Sequence, residues 1–260
     1  MAISTSTPLA KAATAVPLIG AALRASFLSD VLTGQIRPGE RLSEEGLAER
    51  WDVGRVPVRE TLLRLEQDGL VVRRLGSGTY LRKFDLHEIE EFYNIRIGLE
   101  PLVAATATRV ATDAQLEELV ALAAAADAGD TLDVAFLDPL EHEAADRAFH
   151  QRLAAVSMLC LAPRIIDLAS IHLSCSATHH RIGILGSYTV SQPNHGPIAA
   201  ALKARDPERA ARVMTDHLEH AKAATLKDLR TIEARLARVR APAGRPLRGT
   251  RARQGAGSQR

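Results

Sequence analysis

Asp146 and His150 stand four residues apart in the alanine-rich stretch ADRAFHQRL. On a helix, four residues advance about 6 Å and little more than one turn, so both side chains leave from one stripe and could close on a single metal ion. The same spacing suits two solvated neighbours on a helix face, and the pair alone leaves both readings open. A second chemistry-bearing stretch is GRVPVRETLLRLEQDGLVVRR, from Gly54 to Arg74. Guanidinium can pair with guanine O6 and N7 through two bonds at once, and a helix with arginine near its N-terminus can carry it into the major groove. Arg55 and Arg59 are the candidates for reading base edges. Arg64, Arg73 and Arg74 are assigned to phosphate or to no contact, because positioning contacts outnumber base contacts in such interfaces.

The elements that must position these arginines follow from local signals. A helix from about Pro57 to Asp68 turns Val58, Leu62 and Leu65 inward, and Gly69 can close it in a left-handed conformation. Upstream, Leu18 to Thr33 reads as an amphipathic helix, IRPGERL as a Pro-Gly turn, and Ser43 as the cap of a short helix ending at Arg50. The break WDV separates the two short helices. Downstream, LVVRR and TYLRKF read as strands joined by LGSG. Gly76 and Gly78 remove side chains at the tip, so backbone there could approach a sugar-phosphate edge; a tight turn that needs glycine fits the same letters. Three helices followed by a small hairpin predict a winged helix-turn-helix.

The rest of the chain predicts a different architecture. Apolar residues recur at helical spacing from Leu86 to about Leu236, while β-branched alternation is almost absent after Tyr80. Helices are expected over Leu86 to Val110, Asp113 to Ala128, Pro139 to Val156, Pro163 to Leu185, Pro193 to Ala204 and Pro207 to Arg238, with Thr112, Asp138 and Asp206 as N-caps. Short connections imply antiparallel packing. The fold class is therefore mainly α: an N-terminal winged helix-turn-helix plus a C-terminal antiparallel all-α bundle. The expected division is a loose tail over 1–16, a DNA-binding unit over 17–84, a helical unit over 85–238 and a basic tail over 239–260.

Length and composition bound the function. A chain of 260 residues with 46% hydrophobic content can fill a core in each of two domains. The longest apolar runs, such as LVALAAAADA, are short and flanked by Glu117, Glu118 and Asp127, which excludes a membrane span. The N-terminus lacks the clean apolar block of a signal peptide, so a cytoplasmic location is expected. Cys160 and Cys175 have no partner motif and are expected as buried thiols. The formal charge of +2 hides an uneven distribution: Val53 to Lys83 carries seven Arg or Lys against three acids, and the stretch from Ala241 to Arg260 carries five arginines and no acid. Both could meet phosphate.

PGERLSEEGLAERWDVGRVPVRETLLRLEQDGLV resembles the DNA-binding domain of GntR-type bacterial transcription regulators, with a PGxxL turn, a Leu-Ala pair and a run ending in Pro-Val-Arg-Glu. The chain departs from that pattern at Gly54, where serine is usual, and at Val56, where threonine is usual. The lost hydroxyls would have capped the helix or bonded phosphate, and a lost cap costs about 1 kcal/mol. The wing reads Gly-Ser-Gly where Gly-Arg-Gly is common. EEFYNIRIGLEPLVAATATRV, Glu90 to Val110, resembles the first helix of the FadR-type C-terminal ligand-binding (FCD) domain.

That second resemblance implies a metal site: an Asp-x-x-x-His pair on one helix and single histidines on two later ones. Asp146 and His150 match the pair, and His195 and His217 match the others in order and approximate spacing. Val213, Met214 and Leu218 mark an inward stripe around His217, and antiparallel packing could bring His195 toward the same face. Three imidazoles and a carboxylate suit a divalent transition metal, with zinc first and nickel, manganese or iron as alternatives. Arg96, whose family counterpart faces the cavity, is a candidate clamp for a carboxylate effector; an i,i+4 salt bridge to Glu100 is the rival. His179 and His180 are adjacent and point about 100° apart, which argues against joint ligation. His87, His142, His172 and His220 have no partner at usable spacing. VSMLCLAPRI, Val156 to Ile165, replaces the family's Ser-Gly-Asn-Pro, so the helix junction there is expected to be rebuilt.

These readings converge on a regulator, not an enzyme. It would dimerise on a double-stranded operator and change affinity when a small carboxylate binds the metal-containing bundle, with Leu86 to Val110 as the lever after the wing. DNA contact is expected from Arg55, Arg59, Arg64 and Gly78. The alternative is a metal-dependent hydrolase or lyase using the Asp/His cluster, for which Glu141 and Glu143 are the nearby candidate bases.

Overall fold

The computed structural model of the chain describes residues 9–128, 139–182 and 194–240. Asp138 and residues 241–260 lie outside them, as do the side chains of Glu141, His142, Glu143, His179 and His180.

Helix α1 (Leu9–Leu32) starts inside the stretch expected as a loose tail. The reason is local: LAKAATAV is rich in alanine, the residue that costs least in a helix. Its later turns bury Leu23, Phe27, Leu28 and Val31 along one stripe. After the Pro-Gly turn come β1 (Arg41–Leu42), α2 (Glu44–Arg50) and α3 (Arg55–Gln67), then β2 (Val71–Arg74) and β3 (Gly78–Leu81). Ser43 caps α2 as expected, its hydroxyl accepting from Gly46 N at 3.3 Å. Gly69 closes α3 at φ +74°, with Gly69 N on Glu66 O and Leu70 N on Leu65 O, the paired bonds of a Schellman ending. The strands form an antiparallel sheet in the order β1-β3-β2, with Arg41 opposite Tyr80 and Val72 opposite Tyr80 on the other side. The hairpin was expected and β1 was not, since two residues are too few to show an alternating pattern. Phe27, Ile36, Leu62, Leu65, Leu70 and Leu81 fill the centre of this unit.

The bundle consists of α4 (Leu86–Val110), α5 (Asp113–Ala128), α6 (Pro139–Val156), α7 (Ala162–Ile182), α8 (Gly196–Lys203) and α9 (Pro207–Arg240). Asp85 and Glu88 form a reciprocal capping box at the start of α4. Thr112 exchanges the same kind of pair with Gln115, and Asp206 accepts from Arg209 N at 2.9 Å. Helix α8 begins three residues later than expected, leaving His195 at the N-cap and Pro197 in the first turn, where its missing N–H costs nothing. Valines, leucines and many alanines make the core, including Val103, Ala107, Leu119, Phe149, Leu153, Leu202 and Met214; the small residues let helix backbones approach closely. Cys175 is buried, but Cys160 is exposed, because it falls in the turn between α6 and α7 rather than on a helix face.

The two units share more than a covalent link. Helix α7 lies against α1, and its Ile171 and Cys175 belong to the core of the N-terminal unit. Arg24 bridges Asp68, at the end of α3, and Asp167 on α7, at 3.3 and 3.0 Å. His172 Nε2 lies 2.7 Å from the Asp68 carbonyl, and its ring stacks on Phe92 of α4 at 4.5 Å. The division expected near residue 84 thus follows the chain, while the packing crosses it. Burial drives the His172 imidazole below its ordinary pKa, outweighing the Asp68 carbonyl that would raise it.

Candidate functional site

Asp146 and His150 leave α6 one turn apart, His195 stands at the mouth of α8, and His217 projects from α9 where Met214 and Leu218 are also buried. Packing of these helices brings one donor atom from each of the four residues within 4.8 Å of the others. The three imidazoles sit with ring centroids 4.4 to 5.4 Å apart, and all three are buried. Phe149, fully buried, stands edge-on to His150 and His195 at 5.2 and 5.0 Å. Asp146 Oδ1 lies 3.2 Å from His195 Nε2 and 3.7 Å from His150 Nε2.

Among the described residues, four buried nitrogens here have no hydrogen-bond partner: His150 Nε2, His195 Nε2, His217 Nδ1 and Arg96 Nη2. Asp146 Oδ1 thus faces His195 Nε2 at 3.2 Å without hydrogen-bond alignment. Leaving a buried polar atom unpaired costs about 1 to 3 kcal/mol, so such a cluster is the signature of a place built for something that supplies the missing partners. Three imidazole nitrogens and one carboxylate oxygen at this separation fit the donor set of a divalent transition metal.

The electrostatics follow from burial and close opposite charge. Burial alone would raise the Asp146 carboxyl, but His150, His195 and Arg96 outweigh it and hold the group well below the usual carboxylate range. Burial likewise opposes ionisation of Glu100, yet Arg96 and His150 hold it at about 2. Arg96 is buried, donating through Nε to Glu100 Oε1 at 2.5 Å, and Glu100 raises its already high pKa further despite burial. His217 is pushed well down by burial and by the neighbouring His150 and His195. His195 is raised, because Asp146 and Asp127 more than offset its burial.

The salt bridge weighed against Arg96 as a cavity residue is thus present, and it leaves Nη2 buried without a hydrogen-bond partner. Glu100 and Asp127 were not singled out as parts of the centre. Glu100 carried one signal, its place four residues after Arg96. Asp127 carried none, since its contact with His195 spans 68 residues.

The second candidate surface is the exposed side of α3. Val58, Leu62 and Leu65 are buried, while Arg55 and Arg59 are exposed and four residues apart on one face. Gly54 caps the helix with no side-chain bond, the consequence expected of glycine in place of serine. Arg59 is held by Glu44 of α2 in a two-pronged pair, Nε at 3.1 Å and Nη2 at 2.8 Å. That bond lowers the Glu44 pKa and raises that of Arg59. Arg64 is set apart, its guanidinium lying over Gly20 of α1 in the cleft that also holds Arg24 and Arg164. At the wing, Gly78 has φ +112°, a backbone conformation that favours glycine, and the Arg41 guanidinium lies 2.9 Å from where a Cβ would stand. Arg74 lies over the Tyr80 ring at 4.6 Å.

Comparison with known proteins agrees with both halves. Residues 20–81 match the bacterial regulatory proteins of the gntR family, and residues 91–220 match the FCD domain. The HTH-type transcriptional repressor RspR of Escherichia coli K12 is 30% identical over 198 residues, covering 73% of this chain and 81% of that protein. The HTH-type transcriptional regulator LutR of Bacillus subtilis is 30% identical over 208 residues, covering 72% of this chain and 92% of that protein. Among solved structures, E. coli McbR/YncC superposes with a TM-score of 0.62 at 22% identity, over 81% of this chain and 98% of that one, which speaks to fold alone. A GntR transcriptional regulator of Rhodococcus sp. RHA1 gives a TM-score of 0.57 at 25% identity, over 80% and 97%. No described helix is long and apolar enough to cross a membrane. The hydrolase or lyase alternative is set aside by these relatives, and the chain belongs to the GntR family: it is a transcription regulator with a winged helix-turn-helix and an FCD domain.

Proposed function

We propose that this regulator is a cytoplasmic homodimer whose operator affinity is set by a small organic acid held at a metal centre in the bundle. The observation that supports the reading is the convergence of three buried imidazoles, each with a ring nitrogen lacking a hydrogen-bond partner, on the Asp146 carboxylate, which the buried Arg96 also helps to hold ionised. Asp146, His150, His195 and His217 would hold the ion, with zinc the first choice for this donor set. A bound divalent ion supplies a positive centre with positions open to an anion's oxygen. Arg96 adds a fixed cation beside it: its Nε is committed to Glu100, and its Nη2 is left to meet a carboxylate.

On the DNA side, Arg55 and Arg59 are the base readers, and Arg64 and the backbone at Gly78 are assigned to the phosphate-sugar edge. Two copies would present two recognition helices to a pseudo-palindromic site. An effector shifts operator affinity only by its differential affinity for the two arrangements, commonly about 1 to 3 kcal/mol.

The metal reading is tested by elemental analysis of purified protein supplied with Zn²⁺. The wild type should retain stoichiometric metal after desalting, and His217→Ala should lose it while keeping its helical circular dichroism. Equal retention by the variant, or none by the wild type, refutes the ligand set.

A further inference from the structure

Two carboxylates lie just outside the four candidate ligands. Glu100, on α4, places Oε2 at 2.5 Å from His150 Nδ1. Asp127, near the end of α5, places Oδ1 at 2.8 Å from His195 Nδ1. We propose that Glu100 and Asp127 are positioning residues, each holding one histidine as the Nδ1–H tautomer with Nε2 and its lone pair turned to the common centre. The proposal rests on the metal reading for its purpose but not for its geometry.

A neutral imidazole has one donor and one acceptor nitrogen, and an ionised carboxylate only accepts. A carboxylate at hydrogen-bond distance from Nδ1 therefore places the proton there. Nε2 is left to face the centre, and in both residues it is a buried nitrogen without an aligned hydrogen bond, that of His195 standing 3.2 Å from Asp146 Oδ1. Two independent observations thus agree on which atom each ring offers. Rotation of either ring is opposed by Phe149, packed edge-on against both. Carboxylate partners of this kind orient ligand imidazoles and raise their basicity, and removing them weakens metal binding about 10- to 100-fold.

Each carboxylate also does a second task, and the tasks differ. Asp127 accepts from the backbone N–H of His195 at 2.8 Å and of Gly196 at 3.1 Å, so it caps α8, whose N-cap histidine makes no side-chain cap bond of its own. One group fixes both where the helix starts and how the ring on that residue is turned. Glu100 bonds His150 through one oxygen and Arg96 Nε through the other. It sets the direction of the imidazole and of the guanidinium together.

The experiment uses the full chain and two near-isosteric variants, Glu100→Gln and Asp127→Asn, checked for fold by circular dichroism. Zn²⁺ affinity is read by competition with a chromogenic chelator, and each variant should bind about 10- to 100-fold more weakly than wild type. Ring protonation is read by long-range ¹H–¹⁵N correlation on metal-free wild type; His150 and His195 should both carry a proton on Nδ1. A purely structural role would lower the melting temperature without fixing these signals. Unchanged Zn²⁺ affinity in the variants, or an Nδ1 without a proton in either ring, overturns the assignment. A wild type that takes up no Zn²⁺ defeats the metal reading, and the tautomer signals then decide the positioning claim alone. If one variant fails to fold, the other and the wild-type spectrum still decide.

Discussion

Ile171 is fully buried on a helix of the bundle yet belongs to the core of the DNA-binding unit, so Ile171→Ala should damage the half of the protein it does not come from in sequence. The substitution deletes three carbons. At about 0.8 kcal/mol for each buried methylene-sized group, the transfer loss alone is roughly 2.4 kcal/mol, and the cavity left behind adds to it. Large-to-alanine changes at such sites cost about 2 to 5 kcal/mol, so about 3 kcal/mol is the expected loss. For a protein of this size, each kcal/mol moves the melting temperature by about 2 to 4 °C, giving a drop of about 6 to 12 °C. The decisive assay is amide hydrogen exchange followed by mass spectrometry. Peptides from α1 and α3 should lose protection along with those from α7. If protection falls in α7 and its bundle neighbours while α1 and α3 exchange as in wild type, the shared core is refuted.

Arg59→Ala should remove selective binding to promoter DNA in a gel shift, because a bidentate base contact is worth about 1 to 3 kcal/mol of discrimination; retention of full selectivity would displace Arg59 from the reading face. Stability should also depend on pH through His172. Its folded pKa lies below the ordinary 6.5, so the unfolded chain takes up the proton first; the contribution is fully present above that value and is lost as pH falls beneath it. The melting temperature of the wild type should therefore drop more steeply below pH 6.5 than that of His172→Gln, which can still donate to the Asp68 carbonyl; superimposable profiles would exclude this imidazole as the cause.

The parts legible in the sequence were those with short-range chemistry. Ser43, the Gly69 closure, the Asp206 cap and the buried stripe Val58, Leu62 and Leu65 each rest on contacts within a few residues, and all appear where the letters imply them. The Asp146 and His150 pair could be noticed for the same reason, whereas bringing His195 and His217 to it needs the packing of three helices. What stayed hidden is non-local or too short to have a period. The two-residue strand β1 is defined only by its partner β3. Asp127 acquires its role from a helix start 68 residues away. The later start of α8 reflects Pro197, whose preference for the first turn prevailed over Pro193 as a boundary. Ile171 obeys the same helical periodicity whether it faces its own bundle or the neighbouring unit, so no pattern along the chain could tell which core it enters.

The His172 ring has a further consequence for how far a disturbance must travel. Arg96 and Phe92 are one turn apart on α4; Phe92 lies flat on His172, and His172 reaches the carbonyl of the residue that ends the recognition helix. From the buried guanidinium of Arg96 to the end of α3, the interval is one helical turn, one ring pair and one hydrogen bond. An axial slip of α4 by even a fraction of a turn would have to either break that ring contact or drag the end of α3 with it.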